Sequence, residues 1–208
     1  MQMNQSNSQD GAIVYRYSLS PNTIYLNITN RCRNSCSFCL KNYCSGISGY
    51  RLWIEKEPTI KNVWDSLNAE LKDSDKEIVF CGFGEPTVRL DMVLELTRMI
   101  KEIYPYLHIR LNTDGLAQLQ NVNRKVAKEL KKAGMNSISI SLNAENQEKY
   151  DTLCKPSLMG AYEAVLDFTK DCKDIFSHVR LSVVNISGID IQKCKRIADE
   201  LGCKFFIR

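Results

Sequence analysis

The sequence has few of the features that mark membrane proteins, secreted proteins or acid–base enzymes. No stretch approaches 18 consecutive apolar residues, and the first eleven residues are polar rather than a charged segment followed by an apolar one. Histidine occurs only twice, as His108 and His178, and 28 basic residues exceed 24 acidic ones too little to indicate nucleic-acid binding. We therefore predict a cytoplasmic protein with no membrane partner.

Cysteine, in contrast, is abundant, and its number is odd. Nine cysteines cannot all pair internally, so most of them are expected to be reduced or bound to metal, which a low-oxygen cytosol fits best. With 208 residues, 44% of them hydrophobic, the chain can form one well-buried domain. We expect a disordered tail over residues 1–11 and a single domain over residues 12–208.

Three of the cysteines lie within eight residues of one another. Cys32, Cys36 and Cys39 have the spacing C-x3-C-x2-C, and thiolates select iron–sulfur clusters, zinc or copper(I). Structural zinc and the usual ferredoxin cluster each take four protein ligands, so a compact set of three indicates a cluster with one iron left open. A zinc site completed by Cys44 and a set of unrelated core cysteines are the alternatives.

Strand and helix patterns alternate along the rest of the chain. We expect strands near residues 12–17, 23–29, 77–82, 108–112, 137–142, 178–184 and 203–207, and helices near 59–71, 91–103, 121–133, 161–176 and 190–201. Strands separated by helices predict an α/β fold with a parallel sheet. Polar residues on one face, such as Arg110, Asn112 and Ser139, favour a curled sheet with a ligand-filled concave face over a doubly wound sheet. The predicted fold is a partial (β/α)6 barrel.

A second motif, Cys-Gly-Phe-Gly-Glu-Pro-Thr, follows the strand near residues 77–82. Gly82 and Gly84 allow backbone amides and carbonyls to contact a small molecule closely, and Pro86 ends the strand. The two histidines, in contrast, precede predicted strands, at the end of a parallel sheet away from the expected site. We therefore expect no catalytic histidine and name no catalytic residue.

These motifs resemble those of a known family. The cysteine spacing, with Phe38 directly before the third cysteine, resembles the cluster motif of radical S-adenosylmethionine enzymes. Residues 83–86 resemble the Gly-Gly-Glu-Pro motif of that family, with Phe83 in place of the first glycine. Residues 26–32, 80–86 and 139–144, together with Tyr150, are similar to the small TatD-linked members. The resemblance implies a radical S-adenosylmethionine core without a C-terminal extension.

The resemblance also implies cofactors and chemistry. Cys32, Cys36 and Cys39 would hold a [4Fe-4S] cluster whose open iron binds S-adenosylmethionine. An electron donor such as flavodoxin or ferredoxin would drive cleavage to a 5′-deoxyadenosyl radical, which abstracts hydrogen from an unidentified substrate. The residues implied to contact the cofactor are Phe38, Gly82, Phe83, Gly84, Glu85, Pro86, Asn112, Thr113, Ser141, Asn143, Val184 and Asn185.

Two classes of function stay open at this point, the enzyme and a non-catalytic iron–sulfur or zinc binding module. Within the enzyme class, the substrate could be a protein glycine, a nucleic-acid base or nucleoside, or a small metabolite. A six-stranded arc has an open side, and a radical intermediate needs exclusion from water. The long loop over residues 41–53 or a large substrate must supply the cover. We expect a macromolecular substrate that contacts Tyr50 and Trp53.

Overall fold

The computed structural model describes residues 10–208. Most of the predicted N-terminal tail, residues 1–9, lies outside the described residues. The last two residues of that tail, Asp10 and Gly11, lie beside the end of the long loop, and the disordered tail itself stays a prediction. The backbone N–H of Glu55 donates to Asp10 Oδ1 (2.9 Å), and a Cβ on Gly11 would collide with the backbone carbonyl of Trp53.

Seven strands form one sheet. In chain order they are β1 (Val14–Tyr15), β2 (Thr23–Leu26), β5 (Glu77–Phe80), β6 (His108–Thr113), β7 (Ser137–Ser141), β8 (Val179–Val183) and β9 (Lys204–Ile207). They lie side by side in this same order; β1 is antiparallel to β2, and the other pairs are parallel. Because the order never reverses, the sheet is singly wound like a barrel. Over residues 10–208, β9 does not pair with β1, so the predicted partial barrel is confirmed as an open arc.

Helices cover the outer face of this arc. They are α1 (Ile60–Glu70), α2 (Leu90–Ile103), α3 (Ala117–Gln120), α4 (Val126–Ala133), α5 (Gln147–Cys154), α6 (Ala161–Lys173) and α7 (Ile191–Glu200). The outward side chains of the strands, such as Ile78, Leu111 and Ile140, are fully buried against them. Burial of this apolar face stabilises the fold by roughly 25 cal/mol per Å² of apolar surface.

Two helix predictions need correction. The predicted helix over residues 121–133 begins only at Val126, because residues 121–124 form a turn in which the Arg124 N–H donates to the Asn121 carbonyl (2.9 Å). Val122, inside the segment predicted to be helical, is 74% exposed. Helix α5 was not predicted at all. Its sequence is mostly polar, and only Tyr150 and Cys154 are buried.

The predicted polar concave face is confirmed by hydrogen bonds between strands. Arg110 on β6 donates to both carboxylate oxygens of Glu77 on β5 (2.9 Å each) and to Asn112 Oδ1 (2.7 Å). Arg180 on β8 donates from Nε to Ser139 Oγ on β7 (2.8 Å). These side chains therefore share the inner face of the arc, opposite the helices.

The long loop after the cysteines folds over the first edge of the arc. It contains a 3-10 turn at Leu40–Asn42 and a hairpin of β3 (Gly46–Ile47) and β4 (Tyr50–Arg51). Leu52, only 2% exposed, forms a second small core with Tyr15 and Phe83. Within the described part of the chain, no helix has the length and apolar character needed to cross a membrane.

Candidate cluster and cofactor site

The three cysteines lie on the loop that leaves the carboxyl end of β2. All three side chains are half-buried, and Cys36 and Phe38 pack against the main hydrophobic core. The backbone N–H of Asn34 donates to the Cys32 sulfur (3.4 Å). The loop thus presents three thiols at the carboxyl edge of the arc, where active sites of parallel barrels collect.

The end of helix α5 holds this loop in place. The backbone N–H groups of Ser35 and Ser37 donate to the carbonyls of Cys154 and Leu153 (2.9 Å each), so the loop runs along the last turn of the helix. Asn34 Nδ2 donates to the Tyr150 hydroxyl (3.1 Å) inside the protein. Asn146 caps the start of α5, since its side chain accepts the Lys149 N–H. Of these residues, only Tyr150 was named from the sequence, through the family resemblance.

The donor set fits an iron–sulfur cluster better than a single ion. In the described chain, no three His, Cys, Asp or Glu side chains converge closely enough to hold one metal ion. Three thiols that bind three different irons of a cluster do not need to converge on one point. The cysteine loop also contains a buried hydrogen-bond acceptor, Asn34 Oδ1, that has no hydrogen-bond partner among the described residues.

Cys44 does not complete the set. Its side chain is exposed, and its thiol donates to the Gly46 carbonyl (3.1 Å) in the hairpin. The zinc alternative therefore lacks its predicted fourth ligand in this conformation. Cys154, in contrast, is fully buried and near Cys36, and a hydrogen bond from Cys154 lowers the pKa of the Cys36 thiol.

The predicted glycine motif lies directly against the cysteine loop. A Cβ on Gly84 would come within 2.5 Å of the Arg31 carbonyl and closer still to that of Thr29, and a Cβ on Gly82 would collide with Asn27 Oδ1. The Glu85 N–H donates to the Arg31 carbonyl (2.8 Å). Glycine at these positions is thus required by contacts within the protein. Phe83, only 7% exposed, points into the second core.

The Glu85 carboxylate joins the glycine motif to the end of β6. Its Oε1 accepts from the Thr87 N–H (2.9 Å) and from the hydroxyls of Thr87 (2.7 Å) and Thr113 (2.8 Å), and its Oε2 accepts from the Asp114 N–H (2.6 Å). Burial raises the pKa of this carboxyl group, although these donors oppose the rise. Pro86 follows and begins a 3-10 turn, Pro86–Arg89.

Asp114 is a site residue that the predicted cofactor contacts did not include. The Cys32 thiol lies 3.8 Å from Asp114 Oδ2, and Asp114 Oδ1 accepts the Leu116 N–H (3.0 Å). Burial, and then the charge of Glu85, raise the pKa of Asp114 well above its usual value. Burial likewise raises the pKa of Cys32, with Asp114 as the next cause. In the sequence, Asp114 directly follows Asn112 and Thr113, which the family resemblance did name as cofactor contacts.

The predicted contacts on β7 meet an arginine that sequence reasoning missed. Arg208, directly after β9, donates from Nη2 to Ser141 Oγ and to Asn143 Oδ1 (3.1 Å each). Asn143 has a positive φ of 59°, which asparagine tolerates better than most residues. Nothing in the local sequence distinguishes Arg208 from an ordinary strand-end arginine.

The remaining predicted contacts are less closely tied to the cysteine loop. The Asn112 side chain accepts from Arg110, inside the arc. Asn185 is exposed, its N–H donates to the Arg208 carbonyl (3.0 Å), and Val184 beside it is half-buried. His108 lies at the opposite edge, where its ring nitrogen Nε2 is 2.7 Å from Ser137 Oγ and burial lowers its pKa. The expectation of no catalytic histidine stays a prediction.

Comparison with known proteins agrees with this geometry. The model of the Radical SAM superfamily matches residues 26–201, and the chain belongs to that superfamily. Its members bind a [4Fe-4S] cluster and S-adenosylmethionine.

Individual relatives are more distant. The chain is 31% identical over 183 residues to 7,8-dihydro-6-hydroxymethylpterin dimethyltransferase of Methanocaldococcus jannaschii, which is 85% of this chain and 34% of that protein. It is 26% identical over 176 residues to the probable GTP 3',8-cyclase of Thermococcus kodakarensis, covering 84% of this chain and 51% of the relative. The chain thus spans a third to a half of these curated relatives.

Solved structures show the same fold. Streptococcus suis SuiB bound to S-adenosylmethionine superimposes with a TM-score of 0.63 at 15% identity, over 90% of this chain and 40% of SuiB. Methylornithine synthase (PylB) gives a TM-score of 0.62 at 14% identity, over 89% and 52% of the two chains. At these identities, the likeness supports the architecture alone.

Proposed function

We propose that this protein is an enzyme that cleaves S-adenosylmethionine reductively and abstracts hydrogen from a second substrate. A [4Fe-4S] cluster held there would supply the one electron needed to break a C–S bond of the sulfonium, which would give methionine and a 5′-deoxyadenosyl radical able to take a hydrogen atom from the substrate. The observation that carries the proposal is the cysteine loop lying against the Gly82–Pro86 segment at the carboxyl edge of the arc.

The residues of this chain would bind and orient the cofactors. Cys32, Cys36 and Cys39 would hold the cluster, beside the Phe38 ring. The backbone of residues 82–86 and the Asn112–Thr113 turn would contact the methionine part of S-adenosylmethionine. The buried Glu85 carboxylate, which accepts four hydrogen bonds, would place negative charge near a cofactor that carries ammonium and sulfonium groups.

The other predicted contacts would position the nucleoside part. Ser141 and Asn143 offer a hydroxyl and an amide to the ribose, and Val184 and Asn185 would flank adenine. We further propose one domain over residues 12–208, membership of the TatD-linked group, a cytoplasmic location with little oxygen, and flavodoxin or ferredoxin as the electron donor. The protein's part in the chemistry is to contain and aim the radical.

Metal analysis tests the cluster ligands. Anaerobically reconstituted protein should contain about four irons and four sulfides per chain, as a [4Fe-4S] cluster requires. Cys32→Ala, Cys36→Ala and Cys39→Ala should each lose most of this iron. Cys44→Ala is the matched control, because Cys44 is exposed and lies just before the hairpin, and it should retain the cluster. Tightly bound zinc that depends on Cys44 would contradict the assignment.

Product analysis separates the enzyme from a non-catalytic iron–sulfur module. Cluster-loaded protein reduced with dithionite and given S-adenosylmethionine should form methionine and 5′-deoxyadenosine, slowly without substrate. The Cys44→Ala variant should do the same. If correctly loaded and reduced protein forms no 5′-deoxyadenosine, the binding module is the better description.

The open side of the arc could be covered by a macromolecular substrate. Trp53 is 44% exposed beside the hairpin, where a large partner could touch it, whereas the Tyr50 ring already packs 6.3 Å from the Tyr15 ring. The names of the two relatives refer instead to a pterin and to GTP, which are small molecules. Adding the large-molecule or the small-molecule fraction of a cell extract to the 5′-deoxyadenosine assay distinguishes the two candidates.

A further inference from the structure

The concave face of the arc carries more positive than negative charge. Four basic side chains lie on this face: Arg110 on β6, Arg180 on β8, Lys204 on β9, and Arg208 directly after β9. Among the inward-facing strand positions of the described chain, Glu77 is the only acidic residue. Arg110 is neutralised by Glu77 through two hydrogen bonds. The remaining three cations therefore have no carboxylate of their own on this face.

Arg180 is the most informative of them. Its Nε donates to Ser139 Oγ, and its guanidinium lies 4.9 Å from the centroid of the Phe206 ring, so the side chain is held in place. Within residues 10–208, neither terminal nitrogen of this guanidinium has a protein acceptor. Burial, and then the neighbouring charge of Arg110, lower the pKa of Arg180. A fixed, partly buried guanidinium without a counter-charge is costly, and a bound anion would offset that cost.

A cleft in front of Arg180 has room for such an anion. It has a volume of about 290 Å³ and opens at the amino edge of the arc. Arg180 and Lys204 occupy paired positions on β8 and β9 and both line it, together with His108, His178 and the Arg110–Glu77 pair. Both histidines of the chain thus line the same cleft as Arg180 and Lys204.

We propose that Arg180 and Lys204 bind a phosphate or carboxylate group of the second substrate. This rests on the proposed function. Arg180 is three residues before the carboxyl end of β8, a distance of about 10 Å along the strand at roughly 3.3 Å per residue. The substrate would therefore be elongated, with its anionic group at the amino edge and its hydrogen-donating carbon near the cysteine loop. The planar fork of arginine suits two oxygens of either group, and the lysine adds a point charge.

Binding of inorganic pyrophosphate tests the site without any turnover. Calorimetry on the full, cluster-loaded and oxidised protein should show saturable binding at one site. Arg180→Gln should weaken it about tenfold or more, as expected for hydrogen bonds to a charged group, and Lys204→Gln should also weaken it. Arg196→Gln, on the exposed face of α7, removes the same charge and should leave the affinity unchanged. Arg180→Lys should retain part of the binding.

Three results would overturn the proposal. One is a wild-type protein that binds neither pyrophosphate nor succinate, and another is an Arg180→Gln variant that matches Arg196→Gln. The third is complete displacement of pyrophosphate by saturating S-adenosylmethionine, which would assign the cations to the cofactor's own carboxylate. Thermal unfolding of each variant shows whether the fold is intact. Because these measurements need no reduction, their failure is distinct from a failure to form 5′-deoxyadenosine.

Discussion

Replacing Glu85 by glutamine should destabilise the protein, although the two side chains have the same shape. One carboxylate oxygen accepts the Thr87 N–H and the other accepts the Asp114 N–H. Either orientation of a glutamine amide therefore places its NH2 group against a backbone donor. The lost hydrogen bond to a charged group costs about 1.5–3 kcal/mol, and a buried donor left unpaired costs about 1–3 kcal/mol.

Part of this cost is offset, because the substitution also removes a buried charge. We expect a net loss of about 2 kcal/mol in the free energy of unfolding, out of the 5–15 kcal/mol that is typical of proteins. Urea denaturation of the full chain under anaerobic conditions measures it. Glu163→Gln, on the exposed side of α6, is the control and should change stability by less than about 0.5 kcal/mol. If Glu85→Gln is as stable as this control, the carboxylate does not hold the two segments together.

Two further changes have defined outcomes. Asp75→Asn should cost about 3–5 kcal/mol at neutral pH, because Arg16 loses a buried bidentate partner (2.7 and 2.9 Å). Burial alone would raise the pKa of Asp75, but Arg16 and the Lys72 N–H lower it overall. The stabilisation by the Asp75 carboxylate is therefore complete above its unfolded pKa of about 3.9 and is lost as the pH falls through its lower pKa in the folded protein. The difference in free energy of unfolding between wild type and variant should shrink over that pH range. A difference that stays constant with pH would contradict this reasoning. Gly84→Ala should push the glycine motif off the cysteine loop and reduce the iron content. Gly49→Ala is the control: it strains a positive φ of 86° in the hairpin but meets no neighbouring atom, so it should keep the iron. Equal iron content in the two variants would refute the steric argument.

The strands were predictable because each has two chemically different faces. Outward residues such as Ile109 and Leu111 alternate with inward Arg110 and Asn112, and this period identified both the strand and the curl of the sheet. Helix α5 could not be found in the same way. Its outer residues are polar, and it contacts the cysteine loop through backbone carbonyl groups. Because backbone contacts do not depend on side-chain type, they give no periodic hydrophobic pattern in the sequence.

The site was predictable where its parts are contiguous in sequence. Spacing alone brought Cys32, Cys36 and Cys39 together, and the glycine motif followed from its own short pattern. Asp114, Arg180 and Arg208 acquire their significance only from neighbours on other strands. The contact between the Cys32 thiol and Asp114, for example, joins residues 82 positions apart. The start of the helix predicted at residue 121 was misplaced for a similar reason, because the Gln118 side chain accepts the Val126 N–H and helix α4 begins only there.

The hydrogen bonds between the cysteine loop and α5 separate folding from cluster assembly. Loop residues are held by acceptors more than a hundred positions away in the chain, so their order comes from the tertiary structure. A zinc finger, in contrast, orders its ligands only when the metal binds, and the metal affinity includes the cost of folding. Here that cost is met by the fold itself. We therefore expect that a cluster lost to oxygen can be rebuilt on the folded chain.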